Sequence, residues 1–344
     1  MLKMNDIIKV ENENDIPNSI SEKVWIEVEN TKLGLIIKSI DPENPVLLIL
    51  GGGPGIPEYL LESEYGSNLD KYFILCYINY RGTGLSFDKN TIKQKEDLTS
   101  ETYFNDCIAV AKYLCKRFHK EKIYLLGHSF GTYVGLNITY RYPEFFHAYI
   151  GMSMIVDQNL SEQLAYQYMY EFYKGKGKTD RMKELDKYKI LFETKSTINF
   201  KDPLTKQYFE KVRDAYMHES GIGTTHEMKS VITGIFFPSF RIKDFSLMEK
   251  INIWRAKMVT SDAPVITDAF NFNAFETINK LKIPFYVFAG KYDYTTAYSV
   301  QEKYFNRVTA PLKKFYTFEN SAHSPLFEEN EKALKIILQD ILKK

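Results

Sequence analysis

The 344-residue sequence predicts an α/β fold: a mostly parallel, eight-stranded sheet covered on both faces by helices and interrupted by a helical insertion. Three observations carry this expectation. Short apolar runs bounded by turn residues recur along the chain and alternate with helical stretches, as in sheets buried on both sides. The rhythm stops after Met154 and resumes near Asn279. Between an apolar run and a helix-like segment stands Gly127-His128-Ser129-Phe130-Gly131, a Gly-x-Ser-x-Gly pattern in a strand–turn–helix setting.

Taken in order, Val24 to Val28 and Leu33 to Ile37 read as a hairpin joined near Asn30. Val46 to Leu50, Ile74 to Ile78, Ile123 to Leu126 and Ala148 to Met152 read as buried strands, as do Pro284 to Ala289 and Lys313 to Phe318. Helices are expected over Thr102 to Phe118, Thr132 to Arg141, Thr296 to Asn306 and Glu328 to Lys343. The core is therefore expected in 1–153 and 280–344, with 154–279 as a helical cap over the C-terminal edge of the sheet, where ligands bind in open α/β folds. Within it, Tyr166, Tyr170 and Tyr173 share one helical stripe, which favours packing over substrate contact. Gly177-Lys178-Thr179 imitates the end of a phosphate loop, but Phe172 stands where the first glycine belongs, so the stretch reads as a solvated turn.

Lys and Arg total 45 against 44 Asp and Glu, so nothing points to nucleic acid or an acidic polymer. The 25 Tyr and 24 Phe fit either a composition bias or an aromatic-lined pocket. Three cysteines do not make a disulfide framework. Cys107 and Cys115, on one helix, would lie about 12 Å apart, too far to bridge. A reduced, cytoplasmic protein is expected. The charged N-terminal stretch does not read as a signal peptide, and no apolar run reaches membrane-span length. No metal-ligand spacing and no cofactor motif appears, since the loop Gly51-Gly52-Gly53-Pro54-Gly55 lacks dinucleotide spacing.

A serine hydroxyl is a weak nucleophile and needs a base, an orienting acid and donors for the oxyanion. On the Gly-x-Ser-x-Gly scaffold these follow in the order Ser, acid, His. Ser129 is the expected nucleophile. His323 lies on a loop between the last strand and the last helix and is the expected base, whereas His128 sits inside the turn and His218 and His226 lie in the insertion. Asp293 follows the strand ending at Ala289 and is the expected orienting acid; Asp262 and Asp268 follow no expected strand. Oxyanion donors are expected at Phe130 N–H and in the glycine loop, at Gly52.

These motifs together resemble the α/β-hydrolases of the proline iminopeptidase-like group. Gly51 to Gly55 resembles that group's His-Gly-Gly-Pro-Gly, and Asn79-Tyr80-Arg81-Gly82-Thr83-Gly84-Leu85-Ser86 resembles its Asp-Gln-Arg-Gly-x-Gly-x-Ser. Gly127 to Gly131, Gly290 to Asp293 and Ala322-His323 complete the set in order. The resemblance implies an α/β-hydrolase fold, a Ser-Asp-His triad, a helical cap, an acyl-enzyme and release of an N-terminal residue from a small peptide. It also implies a cis Gly53–Pro54 bond.

Three departures bear on this. Gly51 replaces the family histidine, which predicts a less preorganised oxyanion loop. Asn79-Tyr80 replaces Asp-Gln beside Arg81, an arginine expected to clamp its loop to carboxylates. Tyr294 stands where some family peptidases carry a glutamate for the substrate amine. An aminopeptidase must then draw a carboxylate from the insertion: Glu219 and Glu227 flank its Gly-rich stretch, with Glu162 a third candidate. The other expectations are an esterase or amidase of small acyl substrates, and a non-catalytic binding scaffold.

Overall fold

The computed structural model describes residues 4–9, 17–53, 55–193 and 198–343. Nine strands form one sheet: β1 (Met4–Lys9), β2 (Ile20–Val28), β3 (Thr31–Ser39), β4 (Val46–Leu50), β5 (Ile74–Ile78), β6 (Ile123–His128), β7 (Phe146–Met152), β8 (Phe285–Gly290) and β9 (Lys313–Phe318). Their order is β1-β2-β3-β5-β4-β6-β7-β8-β9. The eight expected strands are present, and the ninth, β1, lies antiparallel to β2 at the edge. Its mixed, charged sequence carries no buried-strand signal, because an edge strand needs only ladder hydrogen bonds on one side. The β2–β3 hairpin turns at Glu29-Asn30, with Glu29 at φ 53°. From β5 through β9 every pairing is parallel.

Both faces of the sheet are buried, which is why β4 and β5 read as unbroken apolar runs. Successive residues still alternate between two cores. Leu48 and Leu50 join the core beneath helices Ser100–Arg117, Phe130–Arg141 and Tyr298–Arg307, while Leu47 and Ile49 join the opposite core with Tyr59, Leu326 and Ile337. Thr99 accepts the Thr102 N–H and caps the first of these helices.

Between β7 and β8 the chain runs through a series of helices, beginning with Gln158–Gly175. A separate small core gathers Ala165, Tyr166, Met169, Tyr173, Tyr208 and Ile222. Two of the three striped tyrosines, Tyr166 and Tyr173, are buried in it. Farther on, Met228, Ile235 and Ile253 pack into one sheet core and Ala263, Val265 and Ala269 into the other, so the second half of this region shares the core of the sheet.

The C-terminal helix expected from Glu328 is broken. Pro325–Glu328 forms one turn, and Glu329 leaves helical geometry (φ −126°, ψ 57°) while its carboxylate accepts from Asn320 N and Ser321 Oγ. A helix then runs over Asn330–Ile336 and ends in a π-helical turn.

Candidate active site

The glycine loop after β4, Ser129 after β6, Asp293 after β8 and His323 after β9 all stand at the C-terminal ends of parallel strands. The topology thus brings residues spread over most of the chain to one edge.

Ser129 sits at φ 53°, ψ −119°, between β6 and helix Phe130–Arg141. A non-glycine residue held there stores strain that the surroundings must pin. Its N–H donates to Met152 O at 3.0 Å, and its carbonyl accepts from Thr132 N at 2.8 Å. The flanking glycines are required by close approach. A Cβ on Gly131 would lie 2.0 Å from Leu50 O, and one on Gly127 would lie 2.6 Å from Gly131 O. The turn is therefore sharp, and the Ser129 side chain remains partly exposed. Phe130 begins the helix, so its N–H has no intrahelical partner.

Asp293 is fully buried and His323 nearly so. His323 Nδ1 lies 3.1 Å from both carboxylate oxygens of Asp293. The carboxylate also accepts from Thr296 N (3.0 Å), Thr296 Oγ1 (2.9 Å) and Gln301 Nε2 (3.3 Å). Burial pushes its pKa up, but the His323 imidazole first, and the Thr296 N–H with it, outweigh burial and hold it below the ordinary 3.8. With Nδ1 engaged, Nε2 is the ring nitrogen left to act as a base. Among the described residues no hydrogen bond joins Ser129 Oγ to the imidazole. Asp268 accepts from Ser100 and Asp262 pairs with Lys95, so neither alternative acid is engaged with His323.

The glycine loop is held by residues that sequence reasoning missed. A Cβ on Gly52 would lie 3.6 Å from Ser129 Oγ, so the loop touches the serine. However, Gly52 N–H donates to Glu58 Oε2 at 3.2 Å; in this conformation the expected donor serves a buried carboxylate. The other oxygen, Glu58 Oε1, meets His128 Nδ1 at 2.8 Å, and His128 Nε2 meets His323 O at 2.7 Å. The carbonyl can only accept, so Nε2 carries a proton, while Nδ1 shares a hydrogen bond with the Glu58 carboxyl group. Burial opposes a charge on the ring, but Glu58 and the His323 carbonyl outweigh it and raise the pKa above 6.5. One buried Glu58–His128 pair thus connects the glycine loop to the backbone of His323. The only sequence signal was a glutamate soon after a glycine loop.

Tyr80 OH donates to Gly51 O at 3.1 Å. The loop expected to be loosened by Gly51 is therefore held at Gly51 by Tyr80 and at Gly52 by Glu58. Arg81 forms the expected clamp, with Nε and Nη2 bonding the two oxygens of Asp106 at 2.9 and 2.6 Å. The Gly53–Pro54 bond lies outside the described residues.

Glu219 pairs with Arg181 at 2.9 Å and Glu227 is exposed. Glu162 is fully buried, gripped by Arg213 through Nε (2.8 Å) and Nη2 (2.6 Å). Gln158 links Glu162 to the carbonyl of Thr295, two residues beyond Asp293. Tyr294 packs on Tyr168, ring centroids 4.4 Å apart. No helix among the described residues is long and apolar enough to cross a membrane.

Comparisons with known proteins agree with this fold. A family model for the alpha/beta hydrolase fold matches residues 45–211. A probable aminopeptidase of Bacillus subtilis, YbaC, is 29% identical over 312 residues, covering 90% of this chain and 93% of that protein. A proline iminopeptidase of Saccharolobus solfataricus is 26% identical over 305 residues, covering 87% and 85%. Among solved structures, a proline iminopeptidase of Mycobacterium smegmatis superposes with a TM-score of 0.63 at 12% identity, covering 93% and 98%. An epoxide hydrolase from Bacillus megaterium reaches 0.54 at 15%, covering 93% and 100%, so structural likeness at this level reports the fold alone. The chain has the α/β-hydrolase fold and is similar along most of its length to proteins of the proline iminopeptidase-like group.

Proposed function

We propose that this chain is a serine hydrolase that releases the N-terminal residue of a small peptide. The supporting observation is the Asp293–His323 pair standing at the same sheet edge as Ser129, whose backbone is held at positive φ in a strand-to-helix turn. Ser129 Oγ attacks the scissile carbonyl as His323 Nε2 takes its proton. Asp293 holds the imidazole and balances the imidazolium. Phe130 N–H receives the oxyanion, joined by Gly52 N–H once its bond to Glu58 yields. Collapse expels the amine, which takes the proton from His323, leaving the acyl-enzyme. Water, activated by His323, then frees the acid and restores Ser129. Residues 154–279 act as the cap, and their docking on the Asp293 loop through Gln158 agrees with that role.

The 29% relative named a probable aminopeptidase favours peptide substrates. A second reading, an esterase or amidase of small acyl substrates, is favoured by the amine-binding candidates: Glu219 and Glu162 are already paired with arginines. Prolyl and alanyl arylamides, free and N-acetylated, separate the two. An aminopeptidase loses activity on acetylation, because a buried carboxylate then faces no ammonium; equal hydrolysis of both forms replaces it with the esterase/amidase reading.

A further inference from the structure

We infer that Glu328 is a positioning residue that couples the seating of the inserted region to the placement of His323. The inference rests on the hydrolase reading above. Glu328 Oε1 accepts from Ala322 N at 3.0 Å and Ser324 N at 2.9 Å, the two amides that flank His323. Oε2 accepts from Ala322 N at 3.1 Å and from His226 N at 2.6 Å, and His226 belongs to the insertion. One carboxylate therefore gathers three backbone N–H groups from two segments about a hundred residues apart in sequence.

The contact has further strands. Ser324 Oγ donates to Thr224 O at 2.7 Å. The His226 ring stacks on Tyr292, centroids 4.0 Å apart, next to Asp293. Thr295 Oγ1 donates to Ile222 O at 3.3 Å. Residues 221–226 thus touch the loops that carry both Asp293 and His323. On its other side the stretch is anchored by His218, whose Nδ1 donates to Asp214 O at 2.6 Å and whose Nε2 accepts from Thr224 N at 3.1 Å. Gly223 lies against that ring, where a Cβ would meet it at 2.6 Å. Desolvation raises the pKa of Glu328 while its three amides pull the other way. Unseating the insertion removes one of those amides and a shield from solvent, and the carboxylate that holds the His323 loop feels both changes. The neighbouring Glu329 braces the same loop at Asn320 and Ser321, and among the described residues no hydrogen bond joins its side chain to the insertion, which makes it an internal control.

The test is hydrogen exchange by mass spectrometry, with steady-state kinetics, on Glu328→Gln, Glu329→Gln and Ser324→Ala. Glu328→Gln is expected to speed exchange in 221–226 and in 322–324 together. It is also expected to lower kcat by about ten- to a hundredfold with KM little changed, the cost of a misplaced base. Glu329→Gln is expected to speed exchange at 320–321 only. Should Glu328→Gln not fold, Ser324→Ala removes one hydroxyl contact and is expected to show the same paired change, smaller. Unchanged exchange in 221–226 in a folded Glu328→Gln protein, or in Ser324→Ala where Glu328→Gln does not fold, overturns the coupling. The exchange measurement needs no substrate, so it decides the coupling even if loss of Ser129 leaves activity intact and the hydrolase reading fails.

Discussion

Gly51 marks where residue-level physics departs from family resemblance. A Cβ there would lie 2.9 Å from Glu58 Cβ and 3.1 Å from Glu58 N, so the position excludes a side chain while Glu58 occupies its place. Restoring the family histidine by Gly51→His therefore has to displace Glu58, breaking the Glu58–His128 pair. The expected outcome is destabilisation by about 3 kcal/mol, typical of overpacking, beyond any change in turnover; a melt like that of the wild type would contradict it. The pair has its own pH signature. Because the His128 pKa is raised on folding, its stabilising contribution is complete below about pH 6.5 and is lost as pH rises through the folded value. The advantage in urea midpoint of wild type over His128→Asn should shrink as pH rises above about 6.5; an advantage constant with pH contradicts a proton held more tightly on His128 in the folded state. None of this was legible beforehand, since a buried contact between Glu58 and His128 has no spacing rule in sequence.

The strand–turn–helix element, by contrast, was plain in the sequence. Gly-x-Ser-x-Gly after an apolar run requires small residues on both sides of the serine, and the distances at Gly127 and Gly131 supply the reason. Gly131→Ala would drive a methyl group into Leu50 O, so β4 and the helix cannot both keep their places. That variant is expected to lose folding cooperativity or activity outright, read by circular dichroism melts, whereas wild-type stability would refute the packing argument. The strands β4 to β8 were legible because burial on both faces demands unbroken apolar runs. β1 and the break at Glu329 were not: the first rests on edge pairing, and the second on a carboxylate turned away to a loop of the site.

Across the whole molecule, topology brings the candidate residues together from loops far apart in sequence, and the insertion contacts the loops that carry Asp293 and His323. The positions of Asp293 and His323 could be read as residues following strands, but the insertion could not be read in detail. Its contacts with the core, such as Gln158 to Thr295 and His226 to Glu328, join residues whose sequence separations exceed a hundred. If Ser129, Asp293 and His323 act together, Ser129→Ala and His323→Ala each lower turnover by several powers of ten and the double variant is little worse, because members of a catalytic unit are not additive. Additive losses would separate the two residues into independent roles.

In the proposed mechanism the acyl group is bonded to Ser129, and peptide mapping after treatment with a fluorophosphonate probe reads that covalent step directly. The predicted result is one adduct, on Ser129, formed in parallel with loss of arylamide or ester hydrolysis and absent from Ser129→Ala. An adduct on another residue, or hydrolysis that survives in Ser129→Ala, would contradict it.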